Sequence, residues 1–425
     1  MRTTRPDYAV TDGWAWDPWG DVPGCAIEPL ADGQFVQRLF WIAVGARIAI
    51  IVALAVLTGT FSNLSRDSVA YDHEGAIKAA QYAAGEIRWS NWVDEGWKEY
   101  GGVIYLLFGP QQWLIQLINA LLSGVGTVLV YRSSLLAFQD QSVAKATALV
   151  WAVFPSVVYY TSLPLKEAPA VFGILCIVLG TLRLIVRARE PKWIWIALGM
   201  AIMTSLRVYL VPILSGCVLT CILFSRARLG TSGLVQAGLI LGCVGGMGYV
   251  LVRQHELALG DYAAFEYYDV NRVNAVRSSL TRGNARMYAS RDEAAFSEDW
   301  LDNGWKVLKG IAFFLFSVNP TQITRDRQLA ALPELAFFLY CLPYLLRGVI
   351  HGWRVRPKRI LPLILIGAAI IAVYGSATTN AGAMYRWRCQ ALPFLIMIIV
   401  YGAAVGRRGL MFKLIQRFRP RLAWR

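Results

Sequence analysis

Long apolar runs are the feature that most constrains the fold of this 425-residue chain. Residues 39–60, for example, read LFWIAVGARIAIIVALAVLTGT, and a helix that crosses a bilayer needs about 20 mainly apolar residues. Composition agrees, because charged residues make up 16% of the chain, whereas a soluble protein carries about 25%. The runs therefore predict an all-α polytopic membrane protein.

Basic residues are concentrated in four short segments next to these runs, at 183–192, 225–228, 351–359 and 407–425. Together the four segments hold 17 lysines and arginines against a single acid, Glu190. Such a bias in short loops marks the cytoplasmic side of a membrane. The net charge of +15 therefore indicates topology and contact with anionic membrane lipids, and no nucleic-acid partner is expected.

With those segments inside, the chain makes about ten crossings and both termini lie in the cytoplasm. The N-terminal tail, residues 1–37, lacks the short apolar core of a cleavable signal peptide, and residues 407–425 form a basic C-terminal tail. The fifth and sixth crossings are short, so we expect a tight hairpin that turns at Arg207. The predicted crossings are 38–60, 110–131, 143–162, 167–186, 193–207, 208–225, 233–252, 329–350, 360–377 and 389–406.

Two longer segments, residues 61–109 and 253–328, are predicted to lie outside. The first contains GAIKAAQYAAGEIRWSNWVDEGWKEY (75–100), which has the apolar spacing and the aromatic content of a helix lying along the interface. The second contains an apolar stretch of about 12 residues near its end, which is too short to cross. A re-entrant or interfacial helix is predicted there.

A cluster of acids follows directly after the first crossing. The stretch RDSVAYDHEG places Asp67, Asp72 and Glu74 close together, with Tyr71 and His73 between them. A solvated acidic loop explains this pattern as well as a functional site does. In the functional interpretation, a carboxylate beside the lipid headgroups is partly desolvated, which makes it a better general base.

Charged residues also lie at the next two outer turns. Lys166 and Glu167 begin a crossing between Pro164 and Pro169, a position where charges are costly and usually functional. A snorkelling lysine and a glutamate at a helix N-terminus are the structural alternative. Arg207, at the deep outer turn of the short hairpin, must find an anion in the protein or in a ligand.

The later outer segments are rich in arginine. Arg386 and Arg388 lie at the entrance of the last crossing, and arginine is suited to bidentate contact with phosphate, although interface anchoring beside Trp387 explains either one. Glu334 lies about one turn into a crossing, so we expect an arginine partner or a substrate hydroxyl. Gln322 is a further polar candidate. The default interpretation is ordinary loop charge for Arg277, Arg282, Arg286, Arg291, Arg325 and Arg327.

Acids in the first two outer loops and arginines in the later ones suit a site for an acceptor hydroxyl and a lipid phosphate. In this layout, over residues 38–406, the sequence resembles the polytopic GT-C glycosyltransferases. DSVAYDHEGAIKAA is similar to their first-loop signature, and FPSVVYYTSLPLKEAPAVF to their second-loop region. LFSVNPTQ, LPELAFFLY and YRWRCQALPFL resemble stretches of bacterial membrane proteins of polysaccharide assembly.

The resemblance implies a GT-C-like fold in a bacterial inner membrane and inverting transfer of a sugar from a polyprenyl-phosphate donor to a glycan or lipid acceptor on the outer face. It implies a first-loop base, Asp67 or Asp72, and the choice stays open because Ser68 follows Asp67 where relatives often have a second acid. Glu74 and Glu167 are further catalytic candidates. The expected substrate-binding residues are Tyr71, His73, Lys166, Arg207, Gln322, Glu334, Arg386 and Arg388.

The carboxylates alone do not establish a cofactor; a divalent metal such as Mg or Mn stays an open alternative, and Asp67 and Asp72 are the residues that would hold it. Three alternatives remain open: a polysaccharide polymerase or ligase that uses a lipid-diphosphate-linked glycan, a flippase or transporter of lipid-linked oligosaccharides, and a non-catalytic scaffold. A transporter would place its charges near the membrane midplane. Here they lie at the outer turns, with Arg47 as an exception, which favours surface chemistry.

Overall fold

The computed structural model of this chain describes residues 33–61, 66–86, 92–186, 192–226, 269–281, 291–297, 299–316, 332–407 and 409–418. Every regular element in these ranges is a helix, as predicted. The predicted crossing at 233–252, half of the second outer loop and Gln322 lie outside the described residues.

The described ranges contain 17 α-helices, and a 3-10 helix at Val208–Leu210 precedes the ninth. In chain order they are α1 (Gly33–Thr58), α2 (Arg66–Ala83), α3 (Trp92–Phe108), α4 (Gln112–Phe138), α5 (Gln141–Val153), α6 (Pro155–Ser162), α7 (Glu167–Ile185), α8 (Lys192–Leu206), α9 (Val211–Arg226), α10 (Val270–Leu280), α11 (Arg291–Ala294), α12 (Trp300–Phe316), α13 (Leu332–Val355), α14 (Pro357–Ala377), α15 (Ala381–Arg388), α16 (Leu392–Gly406) and α17 (Gly409–Gln416).

Six helical segments are long and apolar enough to cross a bilayer, namely α1, α4, α7, α13, α14 and the continuous stretch Val208–Ser225. Two bent pairs, α5 with α6 and α15 with α16, pass the same test when each pair is taken together, with bends of 54° and 64°. The described residues thus contain six to eight candidate spans of a multi-pass membrane protein. The predicted total of about ten is not confirmed by these residues, which leave out the predicted crossing at 233–252.

The fifth predicted crossing corresponds to α8, which has only 15 residues. At about 1.5 Å per residue it extends about 22 Å, less than the hydrocarbon core of about 30 Å. It packs closely on α7, because a Cβ atom on Gly199 would lie 2.4 Å from the carbonyl oxygen of Gly173. Arg207 lies at the junction between α8 and the 3-10 helix, where the predicted hairpin turns.

The first outer loop contains two helices, so the single interfacial helix predicted over 75–100 is wrong. Gly85 follows α2 with a φ of +80°, a left-handed conformation that commonly ends helices. The paired helices α2 and α3 are joined by Lys78, whose Nζ lies 2.6 Å from Glu99, and by Tyr105, whose hydroxyl donates to Asp72 at 2.5 Å.

Side chains of α4 hold the non-helical segment between α6 and α7. Asn119 Nδ2 donates to the carbonyl oxygens of Leu163 and Leu165, at 2.8 and 3.0 Å. Pro164 lies between these two acceptors, so the carbonyl groups freed by the break have a partner. This arrangement fixes the position at which α7 begins, and with it the side chain of Glu167.

Both described ends of the chain lie on one side of the bundle. The rings of Phe35, near the start of α1, and Phe418 are 5.9 Å apart. The first helix begins at Gly33, within the predicted N-terminal tail, and the predicted C-terminal tail includes α17, whose Met411 and Ile415 are buried. These two residues are four apart, so they share one helix face that packs on the bundle.

The apolar stretch before residue 317 is helical, in α12, and packs against α14 with very close backbones. A Cβ atom on Gly310 would lie 2.0 Å from the carbonyl oxygen of Gly375, whereas one on Gly304, in the same helix, would meet nothing within 4 Å.

We expect Gly310→Ala to lower the free energy of unfolding by about 1–3 kcal/mol, because overpacking forces the two helices apart. The matched control, Gly304→Ala, should be neutral or slightly stabilising, since alanine favours helix over glycine. Thermal unfolding of both variants in detergent micelles measures the difference. Equal midpoints would show that the α12–α14 contact is not tight in the membrane protein.

Candidate functional site

A fully buried carboxylate, Glu167, lies at the centre of a charged cluster at the N-terminus of α7. Its Oε1 accepts a hydrogen bond from Arg207 Nη2 at 3.2 Å and another from Arg386 Nε at 2.5 Å. Arg207 follows α8 and Arg386 lies in α15. The fold therefore brings together three charged residues that the sequence places at separate outer turns.

Arg386 also contacts the first outer loop. Its Nη1 donates to Asp67, in the first turn of α2, and its Nη2 lies 3.4 Å from the hydroxyl of Tyr71. The Asp67 side chain is 56% exposed, whereas that of Glu167 is 0% exposed. One guanidinium group thus bridges an accessible carboxylate and a buried one. Asp67, Tyr71, Glu167, Arg207 and Arg386 are hereafter called the bridging cluster.

Aromatic side chains surround Arg207. Its Nη1 donates to the hydroxyl of Tyr209 at 2.7 Å, and its guanidinium carbon lies 5.7 Å from the ring centre of Tyr374 and 5.5 Å from that of Trp387. Tyr374 in turn donates to Gln390 at 2.8 Å. The ring faces attract the cation, so the position of Arg207 is fixed by an ion pair, a hydrogen bond and two aromatic rings.

Two buried polar atoms of the bridging cluster lack a hydrogen-bond partner within the described part of the chain, Glu167 Oε2 and Arg207 Nε. An unsatisfied buried polar group is costly, whereas supplying its partner recovers that energy. Burial raises the pKa of the Tyr71 hydroxyl, while nearby Arg386 opposes the rise. The hydroxyl therefore keeps its proton at neutral pH and can donate to a ligand.

Lys166 has a different position from its neighbour Glu167. Its Nζ donates to the carbonyl oxygen of Leu206 at 3.3 Å, which ties the start of α7 to the end of α8. Because Leu206 precedes Arg207, this contact helps to hold the arginine at the site. The predicted contact of Lys166 with substrate stays a prediction.

The other acids predicted as site residues in the first outer loop, Asp72 and Glu74, lie on α2 and contact residues of α3. Asp72 accepts from Tyr105, Glu74 lies 3.4 Å from Lys98 Nζ, and His73 is exposed. Among the described acids of this loop, the structure brings Asp67 alone to Arg386. In the described residues, no group of three or more histidine, cysteine, aspartate or glutamate side chains is arranged to hold a metal ion.

Glu334 has the arginine partner that the sequence predicted. It pairs with Arg388 Nη2, and its Oε1 accepts from the backbone N–H of Ser156, at the start of α6, at 2.7 Å. Arg388 Nη1 donates to the carbonyl oxygen of Leu315 at 3.2 Å. This buried pair links α6, α12, α13 and α15, so its contacts are structural, although both residues were predicted to bind substrate.

The second outer loop contributes little to the described site. Arg277 is buried and donates to the carbonyl oxygens of Ala294, at 2.5 Å, and Ser376, contacts that hold α10 in place. The side chains of the remaining candidates of this loop are outside the described part of the structure. These residues are Arg282, Arg286, Arg291, Gln322, Arg325 and Arg327.

The sequence did not identify Tyr209, Tyr374 and Gln390 as site residues, and it treated Trp387 as an interface anchor. Tyr209 lies two residues after Arg207, and Gln390 lies two residues after Arg388, next to the apolar run that follows. For these two residues, a polar side chain close to a charged turn is the sequence signal that could have indicated a role in the site. Tyr374 gives none, because a tyrosine near the end of an apolar helix commonly anchors it at the interface.

No protein-family model, curated protein or solved structure matches this chain. The resemblance to GT-C glycosyltransferases stays a prediction. Function is inferred below from the bridging cluster and its chemistry.

Proposed function

We propose that this chain is a membrane glycosyltransferase. It transfers a sugar from a polyprenyl-phosphate donor to a hydroxyl group of a glycan or lipid acceptor, at the outer face of a bacterial inner membrane, with both termini in the cytoplasm. The observation that carries the proposal is the contact of Arg386 with both the exposed Asp67 and the buried Glu167. A carboxylate that can accept a proton, Asp67, thus lies next to a cation that can bind a phosphate, Arg386.

The charges of the bridging cluster suit this donor. Two carboxylates, Asp67 and Glu167, face two guanidinium groups, Arg207 and Arg386. A polyprenyl-phosphate sugar is a phosphodiester with one negative charge, so it can replace Asp67 as the anionic partner of Arg386. Donor binding then releases the Asp67 carboxylate toward the acceptor. Glu167, being fully buried, holds the two arginines and is a positioning residue rather than a base.

The transfer follows from these positions. The acceptor oxygen attacks the anomeric carbon while Asp67 takes its proton, and the bond between that carbon and the phosphate oxygen breaks. Polyprenyl phosphate leaves with the electron pair and gains a second negative charge, which Arg386 and Arg207 stabilise. Fixed cations aimed at developing charge usually make the largest contribution to such steps. A single displacement inverts the anomeric configuration.

Asp67 is the preferred base because of its surroundings. Its side chain is 56% exposed, so an acceptor hydroxyl can reach it. The Asp72 carboxylate instead accepts a hydrogen bond of 2.5 Å from the Tyr105 hydroxyl, and this bond joins α2 to α3. The geometry therefore favours Asp67 where the sequence left both acids open.

The class of reaction is tested with purified protein in nanodiscs and a panel of radiolabelled polyprenyl-phosphate sugars, with empty nanodiscs as the control. Release of polyprenyl phosphate together with label in an acceptor fraction is expected. Turnover of a lipid-diphosphate-linked glycan alone would assign the site to a polymerase or ligase. Labelled lipid that crosses the bilayer without any transfer would assign it to a transporter.

A further inference from the structure

One buried hydrogen bond anchors an aromatic ring that contacts Arg207. Tyr374, near the end of α14, and Gln390, two residues after the end of α15, are both fully buried. The Tyr374 hydroxyl donates to Gln390 Oε1 at 2.8 Å. This bond joins α14 to the segment that carries Arg386 and Trp387, although neither Tyr374 nor Gln390 belongs to the bridging cluster.

Tyr374 supports Arg207 directly and through two neighbours. Its ring centre lies 5.7 Å from the guanidinium carbon of Arg207. It is also 6.4 Å from the ring centre of Tyr209, whose hydroxyl accepts from Arg207 Nη1 at 2.7 Å, and 5.0 Å from the ring centre of Trp387, which itself contacts Arg207. A shift of the Tyr374 ring would therefore disturb its own contact with Arg207 and those of Tyr209 and Trp387.

Stability alone does not account for the bond between Tyr374 and Gln390. Gln390 Nε2 is buried and has no hydrogen-bond partner in the described part of the chain. Such an unsatisfied donor is destabilising, whereas a pair of apolar side chains of the same shape would be nearly neutral or stabilising. A hydrogen bond is directional, so it fixes the Tyr374 ring more narrowly than an apolar contact does, such as that with Phe314.

We propose that Tyr374, anchored by Gln390, is a positioning residue for the sugar transfer. This role rests on the proposed function, in which Arg207 stabilises the charge that develops on the leaving phosphate. Arg207 is buried, so it acts through its charge, and the interaction of two charges depends on the distance between them. A displaced Arg207 slows the transfer, while Arg386, still paired with Glu167, binds the donor.

The test compares Tyr374→Phe, Gln390→Leu and the double variant in nanodiscs. Each single variant leaves one buried polar group unpaired and should unfold at a lower temperature, whereas the double variant removes both groups and should regain the wild-type midpoint. In all three, kcat should fall by about 10-fold, since a misplacement of about 1 Å can cost about 100-fold and the expected shift is smaller. The donor KM should be unchanged, because only the transition state loses stabilisation.

Tyr401→Phe is the matched control. It removes the hydroxyl of another buried tyrosine, which lies 2.9 Å from His351 Nδ1. The Tyr401 ring stacks on that of Phe138, at the C-terminus of α4, outside the bridging cluster. This variant should keep the wild-type kcat even where its unfolding midpoint falls.

A double variant that recovers kcat together with its midpoint would overturn the positioning role, because the bond would then be structural only. A raised donor KM at unchanged kcat would overturn it as well. If the double variant does not fold, equal kcat values for Tyr374→Phe and Tyr401→Phe would have the same meaning. Wild-type protein that transfers no sugar from any donor would instead refute the proposed function, and this role with it.

Discussion

Asp67→Asn is expected to reduce the rate of sugar transfer by about 10²–10⁴-fold, because an amide cannot accept the proton of the acceptor hydroxyl. The protein should still fold, since an exposed ion pair contributes only about 0–1 kcal/mol and the Asp67 side chain is 56% exposed. The measurement is the initial rate of polyprenyl phosphate release in nanodiscs, with donor and acceptor varied separately.

The donor dependence distinguishes a base from a structural residue. Asp67 competes with the donor phosphate for Arg386, so Asp67→Asn should lower kcat without raising the donor KM. A loss confined to transition-state stabilisation has this signature. A raised donor KM with an unchanged kcat would instead mean that Asp67 helps to bind substrate, and the proposed base would be wrong.

Asp72→Asn is the matched control, because it makes the same chemical change five residues later on the same helix. The amide oxygen of the substituted side chain can still accept from Tyr105, which in the native protein donates to Asp72 at 2.5 Å. Activity close to wild type is therefore expected. The opposite pattern, with Asp72→Asn inactive and Asp67→Asn active, would move the base to Asp72.

Arg388→Met is expected to lower the free energy of unfolding by about 3–5 kcal/mol, because it leaves a buried charge without its partner. Glu334 is 6% exposed and Arg388 0% exposed, so water cannot replace the lost contact. Reversible unfolding in mixed micelles measures the change. The loss should be in stability, since Arg388 touches Glu334 and Leu315 rather than the bridging cluster.

A second substitution should recover much of this loss. Glu334→Gln in the Arg388→Met background removes the unpaired charge, while the amide oxygen can still accept from Ser156 N, the bond that measures 2.7 Å in the native protein. The double variant should thus be more stable than Arg388→Met alone, and the double-mutant cycle gives the coupling energy. A double variant that is less stable than Arg388→Met would show that Glu334 finds another partner once Arg388 is gone.

Much of the helical framework could be predicted from the sequence. Residues 38–60, 167–186 and 360–377 were predicted as crossings, and the structure has candidate spans at Gly33–Thr58, Glu167–Ile185 and Pro357–Ala377. A crossing depends on about 20 consecutive apolar residues, which is a property of contiguous sequence. The break before Glu167 was visible in the contiguous sequence too, because Pro164 lies within it and Pro169 follows shortly after.

The sequence was less informative wherever a helix bends or is interrupted. The 54° bend between α5 and α6 and the separation of α2 from α3 at Gly85 both fall within runs that resemble single elements. Whether such a run is continuous depends on what packs against it. Composition along the run therefore could not decide between one helix and two.

The sequence by itself determined that this is a multi-pass helical protein and that acids and arginines gather at the turns between its apolar runs. Only the tertiary structure decided that Arg386 meets Asp67, which is 319 positions away in the chain, and that Arg388, two residues later, is buried against Glu334. The physical reason is that neighbouring residues on a helix point in different directions. Which carboxylate each arginine contacts is set by the packing of distant helices, and it cannot be predicted from a local pattern in the sequence.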